Sequence, residues 1–425
     1  MSKRSPVLAR NQRDEVVVTV DTWEGSPPRT AGRLRRAGRA EKSDLAFEYD
    51  QGWLVDPSIA LDPSLELRPG EQRRTVAAQL HPTFSDAAPD RWGQKLLAQR
   101  EAIVAAREGR TARTFDPFDY LVRVNDATRM GALRLQRPDD GAFLDDAELG
   151  VPPKAELREL EAIADRLERG AKGSDNERAV WLEKLLAPGA SLGGARPKAS
   201  FESDGALWMA KFPAPSDTRD KAAWEYVLGE LAVKAGVAVP EHALLKLGSV
   251  HHTFSARRFD RELGHRRMYA SAMTLLDRTD HDDASYIDIA AAIELHGTPT
   301  KSALEQDLEE LFRRVVFNAL TAHRDDHLRN HGFLHDGSGW RLAPAFDLNP
   351  MPDMVEHQIA FDDAGTRIAD LDVIATTARH YRLQAKQAER IVVEVKGAVS
   401  AWRQAAKDIG IDRHEQDLVA SAFAA

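Results

Sequence analysis

Late in the chain, the run His323-Arg324-Asp325-Asp326-His327-Leu328-Arg329-Asn330 gathers carboxylates, imidazoles, guanidiniums and an amide into one short stretch. The interval from Asp325 to Asn330 suits one chemistry in particular. Phosphoryl transfer needs a carboxylate to orient an attacking hydroxyl and accept its proton, and an oxygen ligand for Mg2+. The pattern H-R-D-x-x-x-x-N supplies both, with Asp325 as candidate base and Asn330 as candidate metal ligand. A polar loop that only caps helices in water would have a similar composition, so the octet needs support from elsewhere.

That support comes in a fixed order along the chain. WRLAPAFDLNP (340–350) begins as a strand and delivers Asp347, 17 residues after Asn330. Protein kinases carry a second metal-binding Asp in Asp-Phe-Gly. Here the order is Phe346-Asp347-Leu348, without the glycine, and the carboxylate is still placed to bridge Mg2+ and nucleotide phosphates; a turn-forming Asp before Asn349-Pro350 is the alternative. Upstream, Lys211 ends the strand-like run ALWMAK, from which a lysine can reach phosphates. Glu225, on the following helix, is its candidate ion-pair partner. Before Lys211 comes Ser191-Leu192-Gly193-Gly194-Ala195-Arg196-Pro197-Lys198, whose glycines would let backbone N–H groups approach phosphate oxygens, with Ala195 and Lys198 in the same loop. His327 and His331 are four apart, as zinc ligands on a helix would be, but Leu328 stands where a zinc hydrolase needs Glu. His327 therefore reads as support for the catalytic loop or a phosphate.

The elements that must hold these groups are legible in outline. EVVVTVD (15–21) and SDLAFEYD (43–50) read as strands flanking AGRLRR, a small antiparallel sheet behind an N-terminal tail that reads as disordered. Residues 90–108, 154–169 and 178–186 read as helices, with a shorter one from Asp116 to Asn125, and GALRLQ (131–136) as a strand. Asp204-Gly205 between two strand-like runs predicts a hairpin. A helix over about 219–235 ends at Gly236, and HHTFSARRFDR (251–261) reads as a strand leading to a turn. Leu308, Leu311, Phe312, Val315, Val316, Ala319 and Leu320 form one stripe, so residues 308–320 predict a core-facing helix that ends just before the octet. Strands up to about 260 and helices beyond predict an α+β chain.

Composition narrows the function further. Hydrophobic content of 43% and charged content of 29% are ordinary for a globular protein, and 425 residues suffice for two or three domains. No apolar run approaches the ~20 residues that span a bilayer, which predicts no membrane partner. With no cysteine there are no disulfides, thiolate metal sites or cysteine nucleophiles, as suits a cytoplasmic protein. A net charge of -9 argues against a stand-alone nucleic-acid binder. The local run Arg33, Arg35, Arg36 and Arg39 reads as a solvated hairpin tip.

Taken together, these segments resemble the HipA-like serine/threonine kinase family, the toxin components of type II toxin–antitoxin systems. FSDAAPDRWGQKLL (84–97) resembles the family's N-terminal signature, GALRLQ the strand after it, SLGGARPKA its phosphate loop and RRFDR (257–261) the segment after its hinge. DDHLRNHGFL and AFDLNP resemble its catalytic and metal-binding segments. The resemblance implies a bilobal protein-kinase-like fold with an N-terminal β-rich subdomain (1–135), a nucleotide-binding lobe (136–264) and an all-helical C-terminal lobe (265–425). It implies ATP and Mg2+ as cofactors, Asp325 as base, Asn330 and Asp347 on the metal, Lys211 on ATP, and Arg257 and Phe259 in the adenine-contacting hinge. Ser191 falls on the serine that members autophosphorylate to switch themselves off, a change that would add about -1.5 to -2 charges to the loop. The hinge carries Arg257 where an acidic residue is common. The loop reads Gly-Gly-Ala-Arg-Pro-Lys and lacks Gln-Glu-Lys.

The resemblance also implies a helix-turn-helix antitoxin as partner, with DNA bound mainly through it, and a translation protein, particularly an aminoacyl-tRNA synthetase, as substrate. The leading expectation is thus a Mg-ATP-dependent protein kinase toxin. A small-molecule kinase and a non-enzymatic repressor subunit on the same fold are the alternatives.

Overall fold

The computed structural model describes residues 14–21, 27–37, 44–57, 59–74, 79–145, 151–171, 173–189, 194–262, 264–279 and 282–423. Ser191, Gly193, Arg39 and the N-terminal tail up to residue 13 lie outside them. The chain forms two compact units. One gathers Met1–Pro152, Lys172–Ala195 and Asp260–Met268; the other gathers Pro153–Ala171, Arg196–Phe259 and Tyr269–Ala425.

The first unit is built on a five-stranded antiparallel sheet. Its strands run in the order Gln72–Arg73, Asp44–Tyr49, Arg29–Ala37, Glu15–Val20, Leu133–Gln136. Alternation along these strands sends Val16, Val18, Val20, Leu34, Phe47 and Leu135 into one core with Trp53, Phe84, Phe118 and Leu121. The described part of the basic run, Arg33, Arg35 and Arg36, lies on the strand Arg29–Ala37, and the expected tip beyond it lies outside the described residues. Arg33 and Arg35 reach Glu15 at 2.6 and 2.7 Å, and Arg36 reaches Asp14 and Asp116 at 2.7 and 2.9 Å. DAAPDRWG acquires a structural reading: Asp90 caps the helix Arg91–Arg107 by accepting from Gly93 N at 2.7 Å, and Trp92 is buried. Asp260, fully buried, accepts from Gly131 N at 2.8 Å and from Arg261 at 2.6 Å, which ties its segment into this unit.

The second unit carries a four-stranded antiparallel sheet in the order Lys198–Ser203, Ala206–Lys211, Thr253–Arg257, His242–Leu245. The predicted hairpin turn has Asp204 at φ 53° and Gly205 at φ 71°, the left-handed pair that a tight two-residue turn requires. The helix Lys221–Lys234 starts at Asp220, which accepts from Ala223 N, and stops at Gly236 with φ 76°. Glu415 accepts from both Asp220 N and the Trp224 indole, at 3.0 and 2.8 Å, and Trp402 and Phe423 pack around the same indole. Beyond residue 269 the unit is mainly helical around Lys301–Leu320, whose buried stripe runs from Leu308 to Leu320 as expected.

The architecture is the α+β, protein-kinase-like one, with an addition. The part expected to be all-helical also holds a short antiparallel sheet of Tyr269–Ser271, Gly332–His335 and Trp340–Leu342. Its middle strand, Gly332–His335, begins two residues after the octet 323–330.

Candidate active site

The strand Ala206–Lys211 delivers Lys211 into a buried position, where its ammonium would be costly without anions. Two are present. Lys211 Nζ lies 2.6 Å from Glu225 Oε1 and 2.5 Å from Asp347 Oδ1. Burial acts against the lysine's charge, but these carboxylates hold its pKa above the ordinary value. One cation serves two carboxylates unequally. Burial, opposed by Lys211, pushes Glu225 up to about 7, while Lys211 holds Asp347 well below the usual carboxylate range against the cost of burial. Asp347 sits at φ 60°, a left-handed conformation that aspartate tolerates better than most residues. Asn349 donates to the same Oδ1 at 3.3 Å, so both contacts fall on one oxygen.

The helix Lys301–Leu320 ends in Thr321, and Ala322 then takes φ 44°, a turn costing an ordinary residue about 1 kcal/mol. It swings the octet across the helix end. His323 Nδ1 lies 3.0 Å from Asn349 O, linking the octet to the Asp347 segment. Arg324 donates to Met351 O and Met354 O at 3.0 and 2.8 Å. Asp325 is exposed, and Gln358 Nε2 donates to its Oδ1 at 2.7 Å. Partial burial of its carboxyl raises its pKa, His327 pulls the other way, and the Asp347 charge adds to the rise. The short helical turn Leu328–Asn330 buries Asn330, whose Nδ2 points to Asp325 O at 3.4 Å.

Asp326 has the opposite surroundings. It is 2% exposed. Its Oδ2 accepts from the Tyr286 hydroxyl at 2.6 Å and Asn318 at 2.9 Å, and lies 2.9 Å from His331 Nε2. Despite burial, His331 holds the carboxyl well below the usual range. Neither Asp326 nor its partners Tyr286 and Asn318 stood out in the sequence, and neither did Gln358. The doubled Asp325-Asp326 was the one available signal.

The structure therefore brings Lys211, Glu225 and Asp347 into contact, and Asp325 with Asn330 into one loop. His327 lies near both Asp325 and Asp347 and acts to lower the pKa of each. Lys198 is buried and stands directly opposite Lys211 across the hairpin. Gly194, at φ 106°, occupies backbone space that other residues avoid, and Ala195 beside it is exposed. Arg196 anchors the loop's end on the shielded side chain of Asp217 through contacts of 3.0 and 2.7 Å. Arg257 is exposed and pairs loosely with Glu241 at 3.6 Å. Phe259 packs against Phe346, the neighbour of Asp347, at 5.5 Å between ring centroids.

A carboxylate and an amide suit Mg2+, a hard cation that takes one or two protein oxygens and completes its shell with phosphates and water. Asp347 and Asn330 fit that donor set, and both contacts to Asp347 from Lys211 and Asn349 use Oδ1. Among the described residues no group of three or more His, Cys, Asp or Glu is placed to hold a metal.

The fold is a protein-kinase-like architecture, and within it Lys211, Glu225 and Asp347 meet in one cluster. The sequence pattern of the HipA-like C-terminal domain matches residues 190–402, and that of the HipA N-terminal domain matches residues 26–136. The chain belongs to the HipA-like family. Its fold is shared with HipA of Shewanella oneidensis MR-1, solved in a toxin–antitoxin complex with HipB and operator DNA, at a TM-score of 0.66 and 17% identity over 96% of each chain. A Haemophilus influenzae protein named "Putative kinase" is 30% identical over 160 residues, 33% of this chain and 46% of that protein, so the match spans under half of the relative's length. No helix among the described residues is long and apolar enough to cross a membrane.

Proposed function

We propose that the protein is a Mg-ATP-dependent serine/threonine protein kinase acting as a HipA-like toxin. The observation that carries this reading is Lys211 Nζ held between Glu225 and Asp347 at 2.6 and 2.5 Å, a cation fixed beside a metal-binding carboxylate. Lys211 would address the nucleotide phosphates, and Asn330 and Asp347 would hold Mg2+, which would supply charge neutralisation for the transferring phosphoryl group. Asp325 orients the acceptor hydroxyl and takes its proton. The hydroxyl oxygen bonds to the γ-phosphorus, the bond from that phosphorus to the bridging oxygen breaks, and the electron pair leaves on ADP. Phe259 and Arg257 are assigned to the adenine end, and Gly193, Gly194, Ala195 and Lys198 to the phosphate loop.

The family supports a helix-turn-helix antitoxin as partner, with DNA contacted mainly through it. Autophosphorylation at Ser191 would displace the phosphate loop by charge and switch the enzyme off. The substrate is proposed to be a translation protein, with an aminoacyl-tRNA synthetase as the leading candidate, in the cytoplasm.

The test is incubation with labelled ATP and Mg2+ beside Asp325→Asn and Ser191→Ala, with mass spectrometry of the modified sites. Label on Ser191 is expected in the wild type. Asp325→Asn should lower transfer by about 10²–10⁴-fold, the usual share of a positioned base, without lowering the melting temperature. Undiminished transfer in that variant would remove Asp325 from the mechanism.

A further inference from the structure

Gln358 lies 33 residues beyond Asp325, in the stretch between Asp347 and the helix Leu371–Thr376, where no sequence motif marks it. Its backbone is fixed from both directions. Its N–H donates to Arg324 O at 3.1 Å, and its carbonyl accepts from the Arg367 guanidinium, which also reaches Asp283 at 2.7 Å. Arg324 in turn grips Met351 O and Met354 O, so the catalytic octet and this stretch hold each other. The preceding residue, His357, is buried against Phe361, and its N–H donates to Arg367 O at 2.8 Å. From this fixed backbone the side chain of Gln358 runs through exposed space and ends on Asp325 Oδ1 at 2.7 Å. Among the described residues no other side chain donates to that carboxylate.

We propose that Gln358 is a positioning residue for the acceptor: its amide holds Oδ1 of Asp325, which turns Oδ2 toward the incoming hydroxyl. The choice of side chain follows from what a base requires. A lysine or arginine would fix the carboxylate equally well, but its charge would lower the affinity for the proton. A neutral amide fixes orientation and leaves the carboxylate basic. The length of the arm matters as well, because the backbone behind it cannot move to compensate.

This inference rests on the phosphotransferase reading, and the experiment separates the two. Initial rates of label transfer from ATP into the full-length protein are measured with Mg2+ for the wild type, Gln358→Ala, Gln358→Asn and Gln358→Glu, together with Mg-ATP affinity and melting temperature. Gln358→Ala is expected to lower kcat about tenfold with KM for ATP unchanged, the effect of losing one charge-assisted hydrogen bond. Gln358→Glu has the same shape but sets a carboxylate against Asp325, and should lose about a further tenfold. Gln358→Asn keeps the donor on a shorter arm and should fall between the wild type and Ala. An exposed side chain with a purely structural role would not rank Glu below Ala. Rates for Ala and Glu within twofold of the wild type would overturn the inference while leaving the kinase reading intact. A fall that tracks lost Mg-ATP affinity or stability would overturn it too. A wild type that transfers no more label than Asp325→Asn would overturn both.

Discussion

The two ends of the site are built from the same residue types under opposite conditions. At the nucleotide end, Lys211, Glu225 and Asp347 form a cluster in which Lys211 and Glu225 are buried and each charge depends on its neighbours. At the proposed acceptor end, Asp325 is exposed and, among the described residues, its side-chain donor is the neutral Gln358. Such a buried cluster can be assembled before any ligand arrives, because its charges compensate one another. In the proposed mechanism the acceptor end must admit another molecule's hydroxyl, which an Asp325 open to solvent allows. Asp325 and Asp326 repeat the contrast one residue apart. Partial shielding of the otherwise exposed first carboxyl raises its pKa, whereas His331 and the hydroxyl and amide donors hold the second low against full burial at 2% exposure.

The contrast can be broken from the buried side. Lys211→Met should cost both activity and stability, since it strands Glu225 and Asp347 together. A loss of about 3–5 kcal/mol is expected, as for other broken buried pairs. Adding Glu225→Gln should return most of that stability in a denaturant titration and none of the label transfer. A double variant that regained transfer would mean that Lys211 serves the fold alone. Asp326→Asn comes next in size. Its amide cannot accept from Tyr286, Asn318 and His331 as the carboxylate does, and the loss should be about 2–4 kcal/mol. Asp325→Asn should leave the melting temperature in place and remove activity. Equal melting temperatures for these adjacent variants would erase the distinction drawn between them.

Much of the nucleotide end was legible because its signals are local. Asp204-Gly205 specifies its own turn, ALWMAK ends on Lys211 by strand alternation, and the stripe from Leu308 to Leu320 fixes where the catalytic octet begins. Glu225 required only that the next helix pack back on the strand. The acceptor end was less legible, because its contacts depend on the path of a loop. Gln358 meets Asp325 across 33 residues with no periodic pattern between them. Asp326 sits in a run of charged residues that reads as solvated, and only the fold brings Tyr286 and Asn318 to it. The small sheet pairing Tyr269–Ser271 with Gly332–His335 was hidden for the same reason: strands of three and four residues carry too little alternation to be seen. The DAAPDRWG segment gave a resemblance without a mechanism. In the structure Asp90 and Trp92 prove to be a helix cap and a buried anchor, neither of which requires chemistry.

His357 sharpens the contrast with the smallest effect. It is 1% exposed, beside Gln358 on the stretch that reaches the base. Burial lowers its pKa from 6.5 to about 4; Asp326 opposes the shift, and His323 and Arg324 add to it. The folded state therefore binds fewer protons than the unfolded chain between these values. The stability linked to His357 is present in full above pH 6.5 and is lost as pH falls toward 4. At pH 5 the loss should be ~2 kcal/mol, read as a fall in melting temperature. His357→Phe keeps a ring against Phe361 and cannot be protonated, so its melting temperature should fall less than the wild type's between pH 7 and pH 5. Parallel falls would mean that acid loosens the protein elsewhere and that the stretch behind Gln358 keeps its hold on the catalytic octet.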